Sequence, residues 1–193
     1  MAAGSERTDP RIARTVRACE AAIVELAAEQ PISQVSVADL ALAAGVTRAT
    51  FYNHYANPLA LLIEVLLADL ELAHIYEEKR RAEGDYSAEE LLRLSIIDVA
   101  EHIERFEPVY RLTLDRPADG AVYEALIRHF REYALSFIEL SANPDLPSSN
   151  RDVIAQFLAY GFAGAIKAWL SDPSVSKDDL IDAVMACAPP WWR

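Results

Sequence analysis

Glycine is scarce in this chain, at six residues in 193, and basic side chains are outnumbered by acidic ones, 18 against 30. The prolines cluster at a few points, and no segment alternates apolar and polar residues as a half-buried strand would. A sheet protein with many tight turns is therefore excluded. Only two cysteines occur, Cys19 and Cys187, near opposite ends and in apolar helical surroundings. That number and spacing supply neither a disulfide framework nor a zinc site, so both read as buried or half-buried thiols, with no metal or cofactor. Met1 to Pro10 contains no apolar run of the kind a secretory leader carries. The most apolar stretch, Val153 to Leu170, is interrupted by Gln156, two glycines and Lys167, too broken and too short for a membrane span. A cytoplasmic protein without a membrane partner is expected. Catalytic signatures are missing as well. His54, His74, His102 and His129 show no metal-ligand spacing, and there is neither a nucleophile elbow nor a glycine-rich phosphate loop. No catalytic residue is expected.

The formal charge of −12 is unevenly spread. Residues 1–55 hold five arginines against six acids, whereas the remainder holds 13 basic and 24 acidic residues. Attraction to a polyanion depends on the local field of one face, so the near-neutral N-terminal segment can serve while the acidic body stays away.

What the chain does have is helical periodicity throughout. Ile12, Val16, Cys19, Ile23 and Leu26 form one stripe on a helix over about 10–30, with Arg11, Arg14 and Arg17 on another face. Pro31 ends it. Ser36-Val-Ala-Asp39 has the pattern of a capping box and opens a short helix that closes at Gly45. Thr47 caps a second short helix to His54, and Asn57-Pro58 starts a long one towards Arg81. After Gly84-Asp85, Ser87-Ala-Glu-Glu90 caps a helix to about Arg105, and Pro108 and Pro117 bracket a short piece. A helix over about 118–141 and the loop Asn143 to Asn150 follow. A helix to Ser171 and a last one over 177–187, opened by Ser176, complete an all-α protein of about nine helices.

Residues 36–55 carry the most information. Helix, glycine turn and helix follow one another, with Val37, Leu40, Ala41, Val46, Phe51 and Tyr55 spaced to pack the two helices together. That packing turns Thr47, Arg48, Thr50, Asn53 and His54 outward, a face of donors without an acid. Such a face suits the major groove, where Arg48 can pair with guanine and Asn53 with adenine. Thr47, Thr50, Tyr52 and His54 can reach phosphates, which sets register without reading sequence.

The run Ala44-Gly-Val-Thr-Arg-Ala-Thr-Phe-Tyr-Asn-His-Tyr55, with the first helix before it and Asn57-Pro-Leu-Ala-Leu-Leu62 after it, strongly resembles the TetR family of transcriptional regulators. The resemblance implies a helix-turn-helix DNA-binding domain at 1–56 and an effector-binding and dimerisation domain at 57–193. It implies that the helix near 47–53, including Ala49, is the recognition helix. Ser36, Thr47, Tyr52 and His54 would hold phosphates, with Arg7, Arg11 and Arg14 beside the DNA backbone. One departure stands out: Pro58 occupies the place of a lysine that usually contacts phosphate, which removes one ion pair and makes the salt slope shallower by about one unit.

Beyond residue 57 the resemblance lies in layout. Gly161-Phe-Ala-Gly-Ala-Ile-Lys-Ala-Trp-Leu170 looks like the family's dimerisation helix. Independently, each glycine there costs about 1 kcal/mol of helix propensity, as suits a surface that another helix approaches closely. The expected homodimer contacts are Phe157, Gly161, Gly164, Ala165, Ala168 and Trp169, with Ile181 and Val184 from the last helix. Aromatics crowd the middle helices, among them Tyr133, Phe137 and Phe162, with His129 close by. A small-molecule pocket is expected among them, its candidates being His102, Phe106, Tyr110, Tyr123, Ile127, Phe130, Phe157 and Tyr160. The function expected is a ligand-responsive repressor that binds a palindromic operator in double-stranded DNA. The alternative is a ligand-binding or protein-interaction protein whose helix-turn-helix no longer holds DNA.

Overall fold

The computed structural model describes residues 10–114, 119–140, 145–146 and 149–192. Among the described residues there are nine α-helices and no strand: α1 (Pro10–Glu29), α2 (Val37–Ala43), α3 (Arg48–Tyr52), α4 (Pro58–Glu83), α5 (Ala88–Arg105), α6 (Glu107–Leu114), α7 (Gly120–Leu140), α8 (Arg151–Ser171) and α9 (Lys177–Cys187). Two short 3-10 turns, Ile32–Gln34 and Pro190–Trp192, complete the set.

The helix starts follow their side chains. Ser36, Thr47, Asn57, Ser87 and Ser176 each accept a hydrogen bond from a first-turn amide, satisfying donors that would otherwise be orphaned. Ser87 and Ser176 make full capping boxes with Glu90 and Asp179. Gly45 and Gly84 take φ values of 65° and 75° where α2 and α4 end, a backbone that a β-carbon would strain. Pro108 sits inside the first turn of α6, where its missing N–H costs nothing.

A shared hydrophobic core joins the N-terminal unit to the body. Cys19 and Ile23 of α1, Leu40 of α2 and Phe51 of α3 meet Leu61, Leu62 and Leu66 of α4, and the same cluster continues through Ile103, Val109, Leu126 and Ile166. α4 thus belongs both to the N-terminal unit and to the body. A buried carboxylate adds a polar tie: Asp119, just before α7, accepts from the backbone N–H of Ser33 at 2.8 Å. α8 is by length and composition apolar enough to cross a membrane, more continuous than the sequence suggested. In this fold it lies along α7 and buries Ala155, Ala159, Ala163, Ile166 and Leu170.

The two cysteines differ. Cys19 is fully buried, but Cys187 is exposed at the end of α9, a correction to its reading as a half-buried thiol.

Candidate functional site

In the N-terminal unit, α3 is held against α2 by Phe51, which is wholly buried and packs edge-on to Tyr52 and tilted against Tyr55. Anchoring that one ring leaves Thr47, Arg48, Ala49, Tyr52, Asn53 and His54 exposed, with Thr50 half-buried. Tyr52 is 59% accessible, unusually open for an aromatic side chain that has apolar neighbours available. The Thr47 hydroxyl accepts from the Thr50 amide at 3.0 Å and meets the Thr50 hydroxyl at 2.8 Å. Ser36 is likewise engaged, accepting from the Asp39 amide at 3.1 Å and donating to its carboxylate at 2.5 Å. Both hydroxyls therefore spend a bond on capping; Ser36 keeps one acceptor position, and Thr47 keeps either an acceptor position or its donor, according to which threonine hydroxyl donates. Arg11, Arg14 and Arg17 are exposed along α1, whereas Arg7 lies outside the described residues. Pro58 is buried at the start of α4, where Asn57 caps by accepting from the Ala60 amide at 2.9 Å.

The body contains a cavity of about 520 Å³ walled by five helices and the C-terminal turn. α4 contributes Ala73, His74 and Glu77; α5 contributes Leu92, Ser95, Ile96 and Val99. α7 adds Phe130, Tyr133 and Ala134, and α8 adds Phe157 to Ala159, Gly161, Phe162 and Ala165. Ala183, Val184 and Cys187 of α9 close it, with Ala188, Pro189 and Trp192. Almost all of this wall is apolar, and its polar groups gather beside α4. The Tyr133 hydroxyl donates to Glu77, whose other oxygen accepts from Arg81 at 2.5 Å. His74 lies between the rings of His129 and Tyr133, at centroid distances of 4.7 and 4.3 Å. Burial holds the His74 imidazole below its ordinary pKa, opposed by Glu71 and Glu77. Burial pushes His129 down to about 4, helped by its neighbours His74 and His102. Both rings are neutral at pH 7. Tyr133 is pushed far up, first by desolvation and then by Glu77, and stays a phenol.

This placement corrects the expected lining. Of the eight residues expected to form a pocket, only Phe130 and Phe157 touch the cavity. His102 is buried elsewhere, its Nδ1 2.8 Å from Asp69 and its Nε2 2.7 Å from the Tyr110 hydroxyl. Phe106, Tyr110 and Ile127 are core, Tyr123 packs half-buried against it, and Tyr160 is half exposed. The helical spacing of the others did point them inward, but into space already filled, whereas Tyr160 faces outward. Glu77, the one carboxylate on the wall among the described residues, was missed because it opens the charged run Glu77-Glu-Lys-Arg-Arg81. The signal was its register: Leu66, Leu70, Ala73 and Glu77 share one stripe of α4.

On the outer side of α8, Val153, Phe157 and Tyr160 are 68, 76 and 50% accessible, and Gly161, Gly164 and Ala168 lie exposed beside them. Ala165, Trp169 and Val184 are half-buried. Ile181 is not available to a partner: it is buried against Ile96 and Met185 within the subunit, a correction to its expected place in the dimer interface.

An N-terminal helix-turn-helix with an exposed polar second helix, set on a helical body that holds an apolar cavity, defines a class of regulatory protein. The comparisons agree. Residues 21–65 match the model of bacterial regulatory proteins of the tetR family, and residues 92–185 match that family's transcriptional regulator C-terminal region. The chain belongs to the TetR family of transcriptional regulators. It is similar in fold to a TetR-family transcriptional regulator from Syntrophomonas wolfei (TM-score 0.66, 13% identity, 90% of this chain and 92% of that one). The fatty acid degradation regulator FadR of Bacillus halodurans superposes with TM-score 0.60 at 18% identity, over 94% and 95% of the two chains. A TetR regulator from Streptococcus agalactiae gives 0.60 at 24% identity over 92% and 94%. No curated protein sequence matches significantly. Family and fold together make this chain a DNA-binding regulator.

Proposed function

We propose that the chain is a cytoplasmic, ligand-responsive repressor that binds a palindromic operator as a homodimer. Residues 1–56 hold the DNA and residues 57–193 bind the effector and the second subunit. The observation that supports this reading best is the course of α4. Its first turn is built into the core under α2 and α3, and Ala73, His74 and Glu77 near its other end wall the cavity. From Pro58 to Glu77 is a rigid span of about 28 Å. A ligand that shifts the cavity end of this helix tilts the recognition helix with it. By linkage, the ligand weakens operator binding by the factor by which DNA weakens ligand binding.

The DNA contacts follow from exposure and chemistry. Arg48 and Asn53 read base edges, while Ser36, Thr47, Tyr52 and His54 touch phosphates, with Arg11 and Arg14 alongside and Ala49 and Thr50 close to the groove. One short helix makes few contacts, so two are needed for specificity, and a two-fold pair reads two half-sites. The open stripe of Phe157, Gly161, Gly164 and Ala168 on α8 is the self-complementary face that pairs the subunits, flanked by Ala165, Trp169 and Val184.

The test is binding to a fluorescent duplex from upstream of the chain's own gene, across a salt series, for the wild type and Arg48→Ala. The wild type is expected to bind specifically and with salt dependence. Arg48→Ala should lose about 1–3 kcal/mol and relax sequence preference at one position of each half-site. Absence of binding by the wild type to this DNA and to random DNA at low salt overturns the repressor reading.

A further inference from the structure

Resting on the reading of the cavity as the effector site, we propose that it takes a lipophilic organic cation, a protonated amine on an apolar body, with its ammonium group directed at Glu77.

The argument is an inventory of what the wall can offer. Among the described residues its only charged side chain is Glu77 and no lysine or arginine lines it; Arg81 lies outside the lining while pairing with one Glu77 oxygen. An ionised carboxylate has about four acceptor positions, and Arg81 and the Tyr133 hydroxyl occupy two of them. The other polar groups beside it are also short of donors. The Tyr133 hydroxyl already donates its hydrogen bond to Glu77, and Ser95 donates to the Leu91 carbonyl at 2.9 Å. The His74 ring, held neutral by burial, adds no positive charge to this end. The polar end of the cavity is thus rich in acceptors, and the carboxylate faces it while its partner Arg81 stays behind the wall. An ammonium group brings the donors and the opposite charge that this end lacks.

The rings point the same way. Tyr133 stacks on His74, and Trp192 stands 6.5 Å from Tyr133 by ring centroids. Aromatic faces attract cations, most strongly where water is excluded. The remaining wall, with Phe130 and Phe162 tilted together at 4.7 Å, accommodates the apolar body. A ligand carboxylate would bring a second negative charge and more acceptors to the same place, which both electrostatics and hydrogen bonding disfavour.

Three probes with one chain and different heads test this: decylammonium, decanol and decanoate at pH 7, titrated into the full-length protein by calorimetry and tryptophan fluorescence. Decylammonium is expected to bind more tightly than decanoate by at least about tenfold, the scale of one charge-assisted hydrogen bond. Glu77→Gln should bring the two within about threefold of each other. Should that variant lose its helical circular dichroism, Tyr133→Phe carries the test. It frees one Glu77 lone pair and should keep or widen the preference, and parity in the folded variant overturns the proposal. Wild-type protein that binds decanoate as well as decylammonium also overturns it. Failure of all three to bind overturns both this proposal and the effector reading of the cavity. Preferential binding of decylammonium with unchanged retention on the upstream duplex supports the cation site and removes only the effector reading.

Discussion

α4 carries two acid, histidine and tyrosine clusters, about 12 Å apart along its axis, and they have opposite characters. In the first, Asp69 meets His102 of α5, whose other nitrogen meets Tyr110 of α6. Arg105 completes it from the solvent side, on the same Asp69. Every ring nitrogen and hydroxyl there has a partner, and the surroundings are packed. In the second, Glu77 meets Tyr133, His74 stacks between Tyr133 and His129, and His129 Nε2 is buried with no hydrogen-bond partner among the described residues. That cluster borders open space. The same residue types act as a clamp where their bonding capacity is used up, and as the wall of an open cavity where capacity is left over. Satisfaction of hydrogen bonds, more than side-chain identity, separates the two.

The largest test of this contrast removes a histidine from each. His102→Ala strands the Tyr110 hydroxyl in a packed interior, leaves Asp69 with Arg105 alone and opens a cavity, which should cost about 2–5 kcal/mol in urea unfolding. His74→Ala loses ring stacking at the edge of an existing cavity and should cost only about 1 kcal/mol. Equal losses would break the distinction between clamp and wall.

A smaller effect comes from pH. Burial lowers the folded-state pKa of His74, His102 and His129, the last to about 4, from an ordinary 6.5. Below 6.5 the unfolded chain takes up protons that the folded chain refuses, so stability is full above that pH and declines as pH falls. For His129 the decline continues to about 4. The Tm should fall steadily from pH 7 to pH 4.5, and His129→Phe should flatten the slope. A Tm that stays level over that range in the wild type would contradict neutral buried imidazoles.

The contrast also explains how much could be read in advance. The marks of the DNA-facing unit are local: Ser36 and Thr47 mark helix starts, Gly45 marks the turn, and Phe51 and Leu40 mark the face turned inward. A contiguous run of residues therefore spells out both the fold of that unit and its candidate contacts. The cavity is assembled from α4, α5, α7, α8 and α9, and periodicity says which side chains turn inward without saying whether the space there is filled. His102 and Tyr110 were singled out for inward position, aromatic crowding and polarity, properties shared by Tyr133 and His129 in the other cluster. Ile181 illustrates the same limit on the outer surface. Its helix does border the exposed side of α8, but the residue turns to Ile96 and Met185 instead.

The smallest expected effect is the most direct probe of open space. Ala73 is half-buried on the cavity wall of α4, next to His74 and one turn before Glu77. Leucine at this position adds apolar surface that the cavity can receive without displacing a packed neighbour, and it keeps good helix propensity. Ala73→Leu should therefore raise stability by up to about 1 kcal/mol in urea unfolding while weakening decylammonium binding. The same change in a filled core would be destabilising by about 1–3 kcal/mol through overpacking. The sign of the stability change thus reports whether the second cluster borders empty space, and the paired loss of ligand affinity reports whether that space is the one the ligand uses.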